Sequence, residues 1–500
     1  MVSELIKQFF HALNIEDIDY CHWKGNYALE RVLSAEKDID LLVDRRCLGQ
    51  VTAILARLGC KLAVVKGEPG TARYACHYFG NDALSGQLIH VHLYSDLLDG
   101  EEFILSHLLP FGGMLLEQAR MIDGVKVPAK AAELVSFVLR LYIRYGSPLD
   151  LLYVLREADK IDAELHWLLD GTDLSDVFSL LDRYCPSIDH DLFVACLNAL
   201  TTPSSLPKRI ALAWQVRRRL RAYSVYSSFG RLVAYVRVLW GYARQRLRGN
   251  KKTRSLWSGG AVIAVVGPDA TGKSTLVTEC SRWLGGAFAV KRVHAGLPPT
   301  SWLTAPVNVF MPLIRALLPR LRTTYLEGNS ASTEPAQRQP KVEGLAALVY
   351  ALRAVSIAWD RRQLLLRARR SSANGEIVIC DRYPSEMIGA MDSPRLREDV
   401  ARGGMVQAIF NRLARIERQL YAQIPPPDAV LRLHVSVETA KVRNRERIKD
   451  DKECDAYLEI RHRQSPEWRR SGTKRVYDID TSQLLLETVL NAKRAIWESL

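Results

Sequence analysis

The chain has 500 residues, 48% of them apolar and 25% charged, with 69 Lys and Arg against 55 Asp and Glu for a net charge of +14. This is an ordinary globular composition, long enough for about three domains. It excludes a collagen, a wholly disordered chain and a small disulfide scaffold. The nine cysteines are odd in number and form no Cys-x-x-Cys pair, which argues against a disulfide framework or zinc cluster and for a reducing compartment. Acidic residues come too early in MVSELIKQFFHALNIEDIDY for a secretory signal, so a cytoplasmic protein is expected.

Charge is unevenly spread. From Leu192 to Pro268 there is no Asp or Glu, and this stretch holds 14 Lys and Arg, as many as the net charge of the whole chain. The remainder sums to zero, so a surface built to coat nucleic acid is not expected.

In chain order, residues 1–127 mix helical and strand patterns. VTAILARLG (51–59) reads as a helix, while DIDLLV (38–43) and LIHVHLY (88–94) read as strands. Lys24-Gly25-Asn26, followed by Asp38-Ile39-Asp40, carries two aspartates at i and i+2, which on a strand point to one face. This pattern resembles the uncharacterised nucleotidyltransferase family with a KG…DIDLLV signature. The resemblance implies an α/β nucleotidyltransferase-like domain in which Asp38 and Asp40 hold metal around a second nucleoside triphosphate. His90, with His92 two residues on, stands where such a family places a third carboxylate. Two readings stay open: an active transferase, or a degenerate fold that binds nucleotide or a partner. The two histidines are expected to be satisfied by their neighbours.

Residues 128–256 read as a helical, basic connector. Within it, RLVAYVRVLWGYARQRLR (231–248) sets Leu232, Val236, Leu239, Ala243 and Leu247 on one helical stripe and Arg237, Arg244 and Arg248 on another. The preferred expectation is an interdomain structural helix that docks its apolar stripe on the C-terminal unit and leaves its arginines to solvent. The alternative is contact of the basic segment 208–254 with an anionic membrane surface, making the protein peripheral at the membrane.

A third unit, 257–500, opens with the buried-strand run AVIAVV. Similar runs recur at 288–295, 376–381, 429–435 and 476–480 with helical segments between, predicting a doubly wound parallel α/β domain. The twenty uncharged residues Ala295–Ile314 contain four prolines and are expected to form a loop and short helix over a site. GNSASTEPAQRQP (328–340) is expected to be a surface loop.

The first strand runs into Gly267-Pro-Asp269-Ala-Thr271-Gly272-Lys273-Ser274-Thr275 and then a helical pattern. Glycines allow backbone N–H groups to wrap phosphates, Lys273 supplies positive charge to the β/γ-phosphates, and the Ser274 hydroxyl can ligate Mg²⁺. Asp381 ends the strand EIVIC at the carboxyl edge of the sheet, a place for a second Mg²⁺ ligand. The arginines from Arg443 to Arg470 fit a mobile segment closing over a nucleotide.

GPDATGKST (267–275), IAWDRRQLL (357–365), ICDRYP (379–384), RNRERIK (443–449) and DIDTS (478–482) together resemble the thymidylate kinase family. The resemblance implies ATP and Mg²⁺ as cofactors and γ-phosphoryl transfer to a small phosphorylated acceptor. It also implies that Asp269, Arg361 and Arg382 face that acceptor, that Arg443 and Arg447 are lid arginines, and that the protein is a homodimer. The family's acceptor-gripping element is replaced by VHAGLPPTSW (293–302). The acceptor therefore stays open between a nucleoside monophosphate, dTMP first, and a sugar or lipid-linked sugar. The non-enzymatic alternative is an ATP-binding regulatory or membrane-associated scaffold.

Overall fold

The computed structural model describes residues 2–65, 75–99, 104–248, 254–296, 298–302, 304–305, 345–387, 392–398, 404–446, 455, 458–459, 462 and 468–500. The chain forms two compact units, Met1–Trp257 and Ser258–Leu500.

The first unit contains β1 (Tyr20–His22), β2 (Ile39–Val43), β3 (Lys61–Val65), β4 (Ala75–Asn81), β5 (Leu88–Tyr94), two small hairpins (β6, Leu97–Asp99, with β7, His107–Leu109; β8, Arg120–Ile122, with β9, Val125–Val127) and β10 (Arg254–Leu256). Its helices are α1 (Glu4–Ile15), α2 (Leu29–Leu33), α3 (Leu48–Arg57), α4 (Gly112–Glu117), α5 (Lys130–Tyr145), α6 (Pro148–Arg156), α7 (Ala158–Leu169), α8 (Leu174–Tyr184), α9 (His190–Thr201), α10 (Leu206–Arg219) and α11 (Ser228–Arg248). The main sheet runs β1-β2-β5-β4-β3-β10. β2 and β5 are parallel, and every other neighbour is antiparallel.

Strand periodicity splits β2 between two cores. Ile39, Leu41 and Val43 pack on one face with Phe9 and Leu13 of α1 and Ile54 of α3. Leu42 faces the other way, into a core with Trp23, Tyr94 and the helices from α5 onward. That second core decides the organisation of the chain. α5, KAAELVSFVLRLYIRY, is apolar around nearly its whole circumference and has 13 buried residues. A helix of that kind needs cover on all sides. It is the centre of the first unit, so the segment expected to be a separate connector shares one core with the N-terminal sheet, and β10 pairs with β3.

The second unit holds β11 (Val262–Val266), α12 (Lys273–Gly285), β12 (Val290–His294), α13 (Leu345–Ala373), β13 (Ile377–Asp381), α14 (Met405–Ala422), β14 (Ala429–His434), α15 (Val437–Glu446), β15 (Arg475–Asp480) and α16 (Leu485–Ser499). Its sheet is parallel throughout in the order β12-β13-β11-β14-β15. Val262, Ala264 and Val266 of β11 pack with Ala358 and Leu365 of α13 and Leu420 of α14. Ile263 and Val265, also buried, point to the opposite face, where α12 and α16 pack through Trp283 and Trp497. Apolar β-branched strands with helices on both faces form the expected doubly wound sheet. The strand order reverses beside β11, so the carboxyl ends of β11 and β13 make the crevice at which such sheets bind ligands.

Candidate functional site

The loop after β11 wraps tightly. A side chain on Gly267, whose φ is +152°, would bring its Cβ within 2.7 Å of the Leu433 carbonyl oxygen, so only glycine fits there. Lys273, at the start of α12, is buried, and its ammonium donates to the carbonyls of Gly267 (2.9 Å) and Pro268 (2.5 Å). Thr271 Oγ1 donates to the Pro268 carbonyl at 2.9 Å.

Parallel register brings Asp381 level with Val265 and His294, at the ends of β11 and β12. The Ser274 hydroxyl donates to Asp381 Oδ2 at 2.7 Å, and His294 Nδ1 lies 3.3 Å from the same oxygen. Asp381 Oδ1 is buried without a hydrogen-bond partner. A buried carboxylate oxygen left unmatched beside a hydroxyl is a donor set that fits Mg²⁺ carried in with phosphates.

Three of the residues expected at the acceptor side are joined by a fourth that sequence reasoning missed, Asp392. Arg382 donates to Asp269 Oδ1 at 2.9 Å and approaches Asp392 Oδ2 at 3.5 Å. Arg361 donates to Asp392 Oδ1 at 3.0 Å. Ala270, Arg382 and Asp392 all hold left-handed backbone, with φ of 64°, 71° and 61°. Non-glycine residues adopt this conformation only where the surroundings enforce it.

Arg361 does not present a free guanidinium to an acceptor. It is 1% exposed. Its remaining donors go to the carbonyls of Ala295 (2.7 Å), Asp392 (2.8 Å) and Gly296 (2.9 Å) and to the Tyr421 hydroxyl. All five N–H groups of a guanidinium are thereby used, and Arg361 positions the loops that carry Arg382 and Asp392. Arg443, on α15, docks at the end of β15 through the Thr481 carbonyl (2.5 Å) and hydroxyl (3.3 Å). Arg470 is buried and donates to the Tyr421 and Ile424 carbonyls. Arg447, Arg461 and Arg463 lie outside the described residues, as do 306–314 of the proline-rich segment and the 328–340 loop. The start of that segment is tied down by Asp360, which accepts from Ser301 N (3.1 Å) and Thr304 Oγ1 (2.6 Å).

The first unit has its own site, a cavity of about 430 Å³ between β2 and helices α5 to α7. Asp38 and Asp40 line it from one strand face, but each meets a partner. Asp38 lies 2.8 Å from His90 Nδ1; Asp40 lies 3.2 Å from Lys24 and 3.5 Å from His92 Nδ1. Burial alone would raise the Asp40 carboxyl. Lys24, then His92 and His22, instead hold it well below the usual carboxylate range. The histidines are satisfied as expected: His90 Nε2 meets His77 Nδ1 at 2.9 Å, and the Tyr94 hydroxyl meets His92 Nδ1 at 2.7 Å. Burial, with His92 and His90 adjacent, pushes His77 down to about 3, so that imidazole is neutral at physiological pH. Two aspartates already paired with a lysine and two histidines, with His90 on β5 where a third carboxylate was expected, do not fit a two-metal site. Among the described residues there is no group of three or more metal-ligating side chains.

Sequence reasoning missed the helical wall of this cavity. Arg140 and Arg144 both reach Asp99, and Arg140 lies over Trp23, 4.5 Å from the ring centroid. Glu133 accepts from Asn26 Nδ2 at 2.9 Å, and Asn26 Oδ1 meets His22 Nδ1 at 2.7 Å. Burial pushes the Glu133 carboxyl up to about 8 against the pull of those hydrogen bonds. A lone carboxylate in the mostly apolar run 131–139 was the available signal.

Over 183 residues, 36% of this chain and 67% of its own length, the uncharacterized ATP-binding protein YghR of Escherichia coli K12 is 30% identical to this chain. This chain belongs to the YghR family. The uncharacterized ATP-binding protein YghS of the same strain is 25% identical over 187 residues, 36% of this chain and 72% of YghS. No family model matches the chain. A solved thymidylate kinase from Candida albicans aligns with 48% of this chain and 92% of its own, at 16% identity and a TM-score of 0.27. The parallel sheet and phosphate-type loop of the second unit make a P-loop kinase-like fold.

Proposed function

We propose that the second unit is a phosphotransferase that uses ATP and Mg²⁺ and moves the γ-phosphoryl group to a small acceptor. One observation carries this reading: the Ser274 hydroxyl on Asp381, whose second oxygen is buried and unmatched, beside the Lys273 loop. The printed names of YghR and YghS as ATP-binding proteins support the donor.

The loop from Gly267 to Thr275 wraps the donor phosphates, and Lys273 exchanges its two carbonyl partners for their oxygens. Ser274 and Asp381 would hold the metal, which would neutralise charge on the phosphates. Arg382 and Asp269 form the charged pair on the acceptor side, held in place by Asp392 and Arg361. The acceptor oxygen bonds to the γ-phosphorus as the bridging bond to ADP breaks; a hydroxyl acceptor gives its proton to solvent, whereas a phosphate dianion has none to lose. A nucleoside monophosphate, dTMP first, is the preferred acceptor, and a sugar or lipid-linked sugar is the alternative.

In the first unit we infer a degenerate nucleotidyltransferase-like domain that binds a nucleotide-sized anion without transferring it, because Lys24 and His92 already occupy Asp40.

ADP release measured across nucleoside monophosphates, sugars and sugar phosphates tests the kinase. Release that depends on one acceptor class and disappears in Lys273→Ala is the expected result. ATP binding with no acceptor-dependent release would make the protein an ATP-binding regulatory module. For the first unit, calorimetry with a nucleoside triphosphate should give the same affinity with and without a chelator.

A further inference from the structure

We propose that α11 lies on the surface of an anionic lipid bilayer. This rests on the first unit alone and is independent of the kinase reading.

A packed amphipathic helix buries its apolar stripe and leaves its polar face to water. In α11 the stripe is left exposed. Arg231, Ala234, Tyr235 and Val238 are half-buried. Arg231 donates to Ser224 Oγ at 3.0 Å, and the Tyr235 hydroxyl meets Ser147 Oγ at 2.9 Å. This inner face is thus mixed, with two polar contacts beside the half-buried Ala234 and Val238. Phe229, Leu232, Val233, Val236, Leu239 and Trp240 are all exposed, Phe229 at 76% and Trp240 at 70%. At about 100° per residue, those six fall within an arc of about 120°. Within the first unit, the described part of the stripe expected to dock is exposed.

Charge selects the occupant. Arg237 is exposed beside the stripe, and Arg244 and Arg248 follow it in sequence on the same helix. No Asp or Glu occurs from Leu192 to Pro268, so the stripe's surroundings in sequence carry only positive charge. A second copy of the same basic surface would be repelled. Nucleic acid would use the arginines but leave six large apolar side chains in water. An anionic bilayer accepts both: phosphates meet arginine, and Phe, Leu and Trp enter the headgroup boundary. No described helix is long and apolar enough to cross a membrane, so α11 would lie in the surface plane.

The test uses the full chain and co-sedimentation with vesicles of phosphatidylcholine alone or mixed with phosphatidylglycerol. Wild type should pellet with the mixed vesicles, with a blue shift of tryptophan fluorescence, and be released by salt. Val236→Ser with Leu239→Ser, and separately the triple change Arg237→Glu, Arg244→Glu, Arg248→Glu, should each weaken binding by about tenfold or more. A control with the same charge change elsewhere, Lys7→Glu with Arg31→Glu and Arg183→Glu, should still pellet. The changed apolar residues and Arg237 are exposed, so melting temperature should hold and loss of binding cannot be read as unfolding. Wild type that stays in the supernatant overturns the proposal. So does a wild-type dimer that Val236→Ser with Leu239→Ser converts to monomer, or binding to nucleic acid with none to vesicles.

Discussion

Lys273 donates to two carbonyls of its own loop, which hold the ammonium in the cradle until phosphates replace those carbonyls. Lys273→Ala should leave the melting temperature within a few degrees and lower turnover by about 10²-fold or more, the scale for removing one well-placed charged donor at a phosphoryl site. The two acceptor-side arginines should behave differently. Arg382 is part-exposed and paired with Asp269 and Asp392, so Arg382→Ala should raise the acceptor KM or lower kcat with little change in ATP affinity. Arg361→Ala removes a fully buried guanidinium and leaves the Asp392 carboxylate short of a partner. It should lower stability by about 3 kcal/mol or more, the scale for breaking a buried charged pair. Arg361→Lys should not rescue it, because an ammonium has three donors for five acceptors. A folded Arg361→Ala protein with only a raised KM would return Arg361 to the acceptor.

Among the elements, α5 is built from apolar residues on almost every side and still contains Glu133. That carboxyl sits at about 8 in the fold against an ordinary 4.5. Below pH 4.5 both folded and unfolded chains hold the proton. Between 4.5 and about 8 the unfolded chain has released it while the fold retains it, so this contribution is full at low pH and is lost as pH rises to about 8. The melting temperature of Glu133→Gln should therefore fall less steeply than wild type between pH 5 and 8. Parallel slopes would remove Glu133 as the cause. In the second unit, the turn after β12 packs against the Arg382 stem: a Cβ on Gly296 would stand 2.5 Å from Arg382 Cδ. Gly296→Ala should displace Arg382 from Asp269 and mimic Arg382→Ala kinetically while ATP affinity is retained. The periodicity of these elements was visible in the sequence; their neighbours were not, because a strand's alternation names two faces without naming what covers either.

For the whole molecule, the division into Met1–Trp257 and Ser258–Leu500 sets a prediction about fragments. Residues 1–127 alone would expose Trp23, Leu42 and Tyr94, which are buried in the core shared with α5 and the following helices. That fragment should aggregate or stay unfolded, whereas 1–257 and 258–500 should each give a cooperative melt. A folded 1–127 would show that the N-terminal sheet needs no helical cover. The phosphate loop, the buried parallel strands and the amphipathic character of α11 were legible in the sequence, because each is written in contiguous residues at a fixed spacing. Long-range contacts were needed to show that His90 and His92 stand opposite Asp38 and Asp40, that Arg361 spends its donors inside the protein, and that the α11 stripe is left exposed by the rest of the first unit. Those are pairings between segments distant along the chain. They are fixed by register and by which face finds a core, and local pattern constrains neither.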